Sequence, residues 1–226
     1  MSGADGPSSA EHSNGVREAV RTLHPGYFAL VMATGIMSIA MREHHAHVVS
    51  VVMLWLTGIA YIILITLTTV RVIYFRSEYA DDLTDPRRGF GMFTFVAATN
   101  VFGTRLAVDG HHLIAVCLLA LGWLAWLVLG YVVPWTALLG HPDRPGLQAA
   151  NGTWFIWVVA SQSIAVLASV LEREVGTARR ELAVIAVFSW AVGVFLYAAA
   201  GLFVAARMLL YPLRPQDLTP PYWVAM

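Results

Sequence analysis

Apolar residues fall in six long blocks along this chain, and short stretches rich in Arg, Asp, Glu, Pro or Gly separate them. A helix needs about 20 apolar residues to cross the ~30 Å hydrocarbon core of a bilayer, and the blocks are close to that length or exceed it. The pattern predicts an all-α polytopic membrane protein with six complete spans, at about residues 24–41, 48–75, 89–107, 112–133, 151–171 and 181–210.

A short motif returns in the first, third and fifth predicted helices, with Phe, Val, Ala and then a small hydroxyl residue at fixed spacing. The hydroxyl residues of the three copies are Thr34, Thr99 and Ser161. A further copy starts at 220–226, which predicts the beginning of a seventh span. A recurring motif of this kind indicates repeated units, here helical hairpins with a period of about 65 residues.

The odd-numbered and even-numbered predicted helices differ in composition. The odd-numbered helices contain Gly, Ala, Ser, Thr, Asn and Gln, whereas the even-numbered helices are more uniformly apolar. Small and weakly polar residues suit close packing or a water-lined path, and apolar surfaces suit lipid. We therefore expect an inner ring of odd helices inside an outer ring of even ones. Because each unit has two spans, successive units share one orientation in the membrane.

The composition agrees with a membrane protein and indicates no nucleic-acid partner. The chain is 58% hydrophobic and only 12% charged, its mean hydropathy is +0.66, and its formal net charge is zero. A soluble domain carries roughly 25% charged residues. Residues 1–23 are polar and have no apolar core, so we expect a disordered cytoplasmic tail there and a transmembrane domain over 24–226.

Arginine counts in the loops predict the orientation. With the N-terminus inside, the inner segments hold nine Arg residues and the outer segments hold five. Cytoplasmic loops of membrane proteins carry the excess of positive charge. We therefore expect a multi-pass protein of the plasma membrane with a cytoplasmic N-terminus.

Charged residues do not fall clearly at mid-depth in any predicted span, which argues against a carboxylate proton relay. An anion path can instead be lined by hydroxyls, amides and helix-end dipoles, which attract an anion weakly enough to release it. The alternative role for each such residue is a hydrogen bond between helices. No catalytic residue, cofactor or metal is predicted, and six residues are candidates for lining a path: Thr34, Ser38, Thr99, Asn100, Ser161 and Gln162.

Several other residues receive structural interpretations. Gly35 and Gly103 are expected at close-packing positions between helices. Arg105 lies near the outer end of the third helix, and its two alternative roles are to attract anions into the mouth of the path or, as we expect, to extend its charge into the interface. Cys117, the single cysteine, lies inside an apolar run and is expected to be buried. The stretch 76–88, with four acids and three Arg, is predicted to be a loop.

Three helix starts resemble those of the tellurite-resistance/C4-dicarboxylate transporter family: residues 26–36 (Gly-Tyr-Phe-x-x-x-Met-Ala-Thr-Gly-Ile), 91–95 and 151–155. That family includes tellurite-resistance membrane proteins, yeast malate and sulfite exporters and plant guard-cell slow anion channels. The resemblance implies ten spans in five hairpins arranged as a quasi-fivefold ring, odd helices lining a central path for small anions, and commonly a trimer. The family's gating aromatic lies on a ninth helix, so no residue here inherits that role.

Two other hypotheses stay open. Histidines and acids of the first two outer loops could hold Zn²⁺ or Cu²⁺ in a membrane-embedded metalloprotein, although their spacing matches no metalloenzyme motif. Alternatively the chain is an inactive fragment, because five hairpins would need roughly 325 residues. Three hairpins would leave the inner faces of the first and fifth helices without neighbours, so such a chain should not conduct alone and should be unstable or oligomerise. The outer-loop residues concerned are Glu43, His44, His45, His47, Asp109, His111 and His112.

Overall fold

A computed structural model describes residues 15, 17–85, 88–136 and 150–212, except for the side chain of Thr177. The described part contains helices and turns, and no strand occurs within it. The α-helices are α1 (Ala29–Glu43), α2 (His47–Tyr74), α3 (Arg76–Thr84), α4 (Phe93–Val108), α5 (His112–Pro134), α6 (Phe155–Glu174) and α7 (Arg179–Leu210).

Short 3₁₀ turns precede α1, α4 and α6, at Pro25–Phe28, Gly89–Met92 and Gly152–Trp154. Proline suits the first of these turns because it lacks an N–H and its φ is already close to the helical value. Asn151 suits the third because its Oδ1 accepts a hydrogen bond from the Thr153 backbone N–H at 2.8 Å. The repeat motif therefore begins each of these three helices directly after a tight turn.

Four helical segments of the described residues are long and apolar enough to cross a membrane: His47–Tyr74, His112–Pro134, Gly152–Glu174 and Arg179–Leu210. The helices α1 and α4 are shorter, with 15 and 16 residues, and each is extended by its four-residue 3₁₀ turn. The chain is an all-α polytopic membrane protein, as its hydropathy pattern predicts.

The helices pack as three consecutive pairs, α1 with α2, α4 with α5, and α6 with α7, and we call these pairs hairpins one, two and three. The helix α4 also packs against α1 on one side and α6 on the other. Only 17%, 22% and 17% of the apolar windows of α2, α5 and α7 are buried, against 56% for α6. We call α1, α4 and α6, which carry the repeat motif, the inner helices and α2, α5 and α7 the outer helices, after the places that the sequence predicts for them. A closed ring stays a prediction.

The stretch 76–88 is not the loop predicted from its charges, because α3 occupies its first nine residues. The prediction was wrong because one of the charged side chains, Asp82, is buried and paired, which ties the helix to its neighbours. Asp82 is buried and contacts both Arg71 of α2 and Arg88 beyond α3. Glu78 lies in the first turn of α3, where a negative charge stabilises the helix dipole.

Gly35 and Gly103 lie where neighbouring helices leave no room for a side chain, which confirms their predicted close packing. A Cβ on Gly35 of α1 would lie 2.6 Å from Val101 Cγ1 of α4. A Cβ on Gly103 of α4 would lie 2.8 Å from Leu167 Cδ2 of α6. These two contacts set how closely the inner helices approach one another.

Cys117 is exposed, so the prediction of a buried thiol was wrong. It lies on α5, an outer helix whose outward side contacts no other part of the described chain. An apolar run alone predicts burial from water but does not distinguish protein neighbours from lipid. The thiol therefore lies on a side of α5 that no described part of the chain covers.

The turns that end α1 and α4 share one backbone feature. His45 and Gly110 each have a left-handed backbone, with φ of 60° and 87°, and they are separated by one repeat period (45 to 110). Glycine adopts this conformation without steric cost, and His adopts it more often than most other residues. The two turns lie side by side, because Arg42 before one contacts Asp109 in the other.

Candidate functional site

The three hydroxyl residues of the repeat motif all contact outer helices. Each hydroxyl oxygen lies 2.9 Å from a polar side-chain atom: Thr34 from Thr57 Oγ1, Thr99 from the Tyr61 hydroxyl and Ser161 from Trp126 Nε1. Each hydroxyl also donates to a carbonyl one turn earlier in its own helix, at 2.9, 2.7 and 3.0 Å respectively. Thr99 and Ser161 are fully buried, and Thr34 is half-buried. These hydroxyls therefore join inner helices to outer ones.

Asn100, the residue after Thr99, links three helices. Its side chain lies over Gly122 of α5, where a Cβ would come within 2.8 Å of the amide. Its Nδ2 donates to the Val96 carbonyl at 2.9 Å and to Ser163 Oγ of α6 at 3.2 Å. Its Oδ1 is buried and has no hydrogen-bond partner in the described part of the chain. An unpaired acceptor of this kind costs about 1–3 kcal/mol.

Gln162 has the corresponding position on α6, after Ser161, and is less buried than Asn100. Its side chain lies over Gly193 of α7, where a Cβ would come within 2.4 Å of the Gln162 Nε2. Its Nε2 donates to the Trp190 carbonyl at 3.4 Å, a long hydrogen bond. Gln162 is therefore the candidate whose amide is least constrained by protein contacts.

Ser38 belongs to a buried polar cluster at the end of the inner helices where the two turns lie. Ser38 and Ser50 exchange hydrogen bonds, each hydroxyl donating to the other residue's carbonyl at 2.7 Å. Arg105 donates to both hydroxyls, from Nε to Ser38 at 2.8 Å and from Nη2 to Ser50 at 3.2 Å. Asp109 forms ion pairs with Arg105 and with Arg42. We call these five residues the turn cluster.

Arg105 does not extend into the interface as predicted, since only 1% of it is exposed. Two serine hydroxyls and one carboxylate satisfy the guanidinium within the protein, so the charge need not reach water. Arg105 also lies one turn from the C-terminal end of α4, where the helix dipole favours a cation. The pairing with Asp109 follows i, i+4 spacing, a signal that the sequence does contain.

A second charged cluster lies at the opposite end of α4. Arg71, only 3% exposed, contacts Asp82 at 2.7 Å, and Arg88 contacts the other carboxylate oxygen at 2.9 Å. Arg71 also donates to the backbone carbonyls of Arg21 at 3.0 Å and Leu23 at 2.6 Å. We call Arg71, Asp82 and Arg88 the α3 cluster. Sequence reasoning missed it because the partners are brought together only by the fold of α3.

The charged groups of the two clusters have the same composition, two arginines and one aspartate each. Counted over these three side chains alone, each cluster carries one net positive charge; Asp85, whose carbonyl accepts from the Arg88 backbone N–H at 3.1 Å, lies beside the α3 cluster. Arg88 precedes the 3₁₀ turn before α4 and Arg105 is in its last turn, so about 25 Å of helix separates them. That length is close to the thickness of the hydrocarbon core. A fixed cation at each end of a membrane-crossing segment attracts anions from water on both sides.

A cavity of about 370 Å³ lies between α2 and α5, and residues at the starts of α1 and α4 also line it. Its walls are mostly apolar, with Phe28, Ile65 and Leu121 among them, and Arg71 and Tyr79 lie at one end. Burial raises the pKa of the Tyr79 phenol, so this group stays neutral at physiological pH.

The outer-loop histidines are not brought together as a metal centre. Among the described residues, no three His, Cys, Asp or Glu side chains form a group that could hold a metal ion. The rings of His45 and His47 lie 6.3 Å apart. Asp109, the acid expected from the other loop, is bound by two arginines instead.

Residues 22–226 match the protein family described as voltage-dependent anion channel. An uncharacterized transporter of Methanocaldococcus jannaschii is 23% identical over 214 residues, which are 92% of this chain and 61% of that protein. An uncharacterized membrane protein of Mycobacterium tuberculosis, from two strains, is 78% identical over 32 residues, which are 14% of this chain and 16% of that protein. The chain thus spans less than two thirds of these relatives. No solved structure matches it.

Proposed function

Because the chain belongs to the voltage-dependent anion channel family, we propose that it carries small anions across a membrane along its inner helices. The activity is that of a channel or a secondary transporter and not of an enzyme. The observation that supports it best is the net positive charge at both ends of α4. The candidate substrates are C4-dicarboxylates, sulfite, tellurite, nitrate and halides, among which hydroxyl and amide groups do not discriminate.

The chemistry of arginine supports this role. A guanidinium remains protonated at every physiological pH, so the attraction for anions does not depend on a proton. Arg105 and Arg71 are each held by hydrogen bonds as well as by an aspartate, which keeps the charges fixed in place. Fixed charge of one sign can raise the local anion concentration and the rate of association by about 10- to 1,000-fold.

We also propose the cellular setting that the arginine counts and the family resemblance favour. The protein would lie in the plasma membrane with its N-terminus in the cytoplasm. It would assemble as a homo-oligomer, a trimer by resemblance, when its ring of hairpins is complete. In that orientation the turn cluster lies at the external end of the inner helices and the α3 cluster at the cytoplasmic end.

The test of the proposed function is anion flux in liposomes that contain the purified chain. Arg105→Gln should lower the flux about tenfold because the turn cluster then loses its net positive charge. Arg105→Lys keeps the charge and should retain most of the flux. The matched control is Arg179→Gln, because Arg179 lies at the same end of the helices but is an exposed arginine paired with Glu172. Flux is normalised to the folded fraction, measured by thermal unfolding.

A second variant keeps the electrostatic role testable in case Arg105→Gln does not fold. Arg88→Gln changes the α3 cluster at a side chain that is 33% exposed, and it should also reduce the flux. Folded Arg105→Gln and Arg88→Gln proteins with unchanged anion flux would contradict the electrostatic role. A folded wild-type chain that passes no anion, or passes K⁺ as readily as nitrate, would contradict the proposed function of this chain.

Lining of the path by the six polar residues is a separate proposal with its own test. Thr99→Val and Gln162→Leu should change anion flux or selectivity several-fold if these groups contact the anion. A hydroxyl that serves packing alone is worth about 0.6 kcal/mol, so its loss would lower stability and leave flux unchanged. Flux and thermal unfolding are therefore measured on both variants. Unchanged anion flux in both variants would indicate that these residues serve helix packing and do not line the path.

A further inference from the structure

The cavity between α2 and α5 is enclosed by elements that follow one another in the chain. Its lining comes from the segment before α1, from α2 of hairpin one, from α3, and from α4 and α5 of hairpin two together with the turn before α4. The cavity is therefore formed by the first two hairpins and the helix between them, whatever lies beyond hairpin three.

The cavity is too large and too apolar to be a packing defect. Protein interiors contain few voids larger than a water molecule, whereas this one has about 370 Å³, a volume typical of ligand sites. Its lining extends from Ile65 to Ile73 on α2 and from Leu121 to Leu129 on α5, about 12 Å along each helix. Apolar cavities stay dry and bind apolar molecules. An elongated cavity between two membrane helices thus suits a hydrocarbon chain.

The lining becomes polar toward the end where α3 lies. Along α2, Ile65 is followed in the lining by Thr68, Thr69 and Arg71, and Tyr79 of α3 adds a phenol. Arg71 is one turn from the end of α2, where a membrane span meets the interface. The cavity therefore combines an apolar part within the span with a polar part at the interface, which is the arrangement of a lipid molecule.

Arg71 has hydrogen-bond donors that the protein does not use. Its Nε donates to the Arg21 carbonyl at 3.0 Å, and its Nη1 donates to the Leu23 carbonyl at 2.6 Å and contacts Asp82 at 2.7 Å. Its Nη2 makes no hydrogen bond within the described part of the chain, although only 3% of the residue is exposed. Two N–H groups of a buried guanidinium thus remain for a ligand that accepts hydrogen bonds.

Tyr79 supplies a third donor at the same end of the cavity. Its hydroxyl makes no hydrogen bond within the part of the chain that the structure describes, and it stays protonated because burial raises its pKa. The nearby carboxylate of Asp82 is already bound by Arg71 and Arg88. This end therefore offers donors to an anionic acceptor and no unpaired carboxylate of Asp82 to an ammonium group.

We propose that the cavity binds one membrane phospholipid, with an acyl chain between α2 and α5 and the phosphate at Arg71 and Tyr79. Phosphate oxygens are acceptors that guanidinium groups bind well. A head group without an amine, as in phosphatidylglycerol, fits the donors best. Ile73 and Leu121, which are 58% and 42% exposed in the described part, line the side from which a lipid enters. The proposal does not depend on anion transport.

Native mass spectrometry of the purified chain, released from neutral detergent micelles, tests the proposal because it resolves each bound lipid. Four probes are titrated: phosphatidylglycerol, phosphatidylcholine and diacylglycerol with the same acyl chains, and inorganic phosphate. We expect one phosphatidylglycerol per chain at the lowest lipid concentrations. Phosphatidylcholine should bind more weakly, and diacylglycerol and inorganic phosphate should bind at least tenfold more weakly, because each of these two lacks one half of the ligand.

Two substitutions locate the bound lipid, and each has a matched control. Tyr79→Phe should weaken phosphatidylglycerol binding about tenfold, the value of one hydrogen bond to a charged group. Tyr74→Phe should leave it unchanged, because Tyr74 is exposed and outside the cavity lining. Leu121→Trp should also weaken binding about tenfold, since its larger ring displaces roughly two methylene groups of the chain. Leu124→Trp is the control, on the same helix but outside the lining.

Thermal unfolding confirms that all four variants are folded before binding is compared. Equal phosphatidylglycerol affinity of folded Tyr79→Phe and Leu121→Trp variants and their controls would overturn the proposal. Inorganic phosphate that binds as tightly as the lipid would also overturn it and would indicate a site for free phosphate. A wild-type chain that retains no phosphatidylglycerol would contradict it as well, and would indicate that another part of the protein fills the cavity.

Discussion

Replacing Asp82 with Asn is expected to lower the free energy of unfolding by about 3–5 kcal/mol. The carboxylate contacts Arg71, which is only 3% exposed, and Arg88, so its neutralisation leaves a buried guanidinium without a counter-charge. The carbonyls of Arg21 and Leu23 would still accept hydrogen bonds, but they carry no net charge. Equilibrium unfolding in detergent micelles measures the difference.

Asp81→Asn is the control for this prediction. Asp81 is the preceding residue of the same helix and is exposed, so its loss removes one negative charge without uncovering a buried cation. Its effect should be within about 0.5 kcal/mol. Equal effects of the two substitutions would show that net charge and not the buried pair stabilises α3, and would contradict the prediction.

Gly35→Ala is expected to destabilise the protein by about 1–3 kcal/mol. The new Cβ would lie 2.6 Å from Val101 Cγ1, and the β-branched Val101 cannot rotate away easily. The helices α1 and α4 must then separate, which disturbs the contact on which the turn cluster depends. Adding Val101→Ala removes the clashing methyl group and should restore a large part of the loss. Thermal unfolding of the single and double variants provides the measurement.

Gly201→Ala serves as the control for Gly35→Ala. Gly201 is in the interior of α7, and a Cβ added there would meet no atom within 4 Å, so Ala fits at this position. Alanine is a better helix former than glycine by roughly 1 kcal/mol, so this variant should be neutral or more stable. A neutral Gly35→Ala variant, or no recovery with Val101→Ala, would contradict close packing as the reason for glycine at position 35.

Much of the fold could be predicted from the sequence because hydropathy and small residues act locally. The apolar blocks correspond to helices, and the match over residues 22–226 confirms the family indicated by three helix starts. The helix α3 could not be predicted in this way. Its stretch is strongly charged, and the fold is needed to bring Asp82 together with Arg71, which precedes α3 in the chain.

For the candidate site, the sequence predicts a set of residues but not the directions of their side chains. The spacing identified Thr34, Thr99 and Ser161 as equivalent, yet it does not say which side of the helix each hydroxyl occupies. Tyr61 comes 38 positions before Thr99 and belongs to a different hairpin, so no local pattern reveals their bond. Arg105 was misinterpreted for the same reason, since Ser38 and Ser50 reach it from another hairpin.

The position of Asn100 has a consequence for the order in which the protein is made. Its amide reaches Ser163, which leaves the ribosome 63 residues later, so α4 enters the bilayer before this hydroxyl exists. During that interval the side chain has Gly122 beside it and only the Val96 carbonyl as a partner for its Nδ2. Chains of stacked units gain stability as each neighbour arrives. Hairpin two should therefore be more vulnerable to quality control before α6 has been inserted than after it.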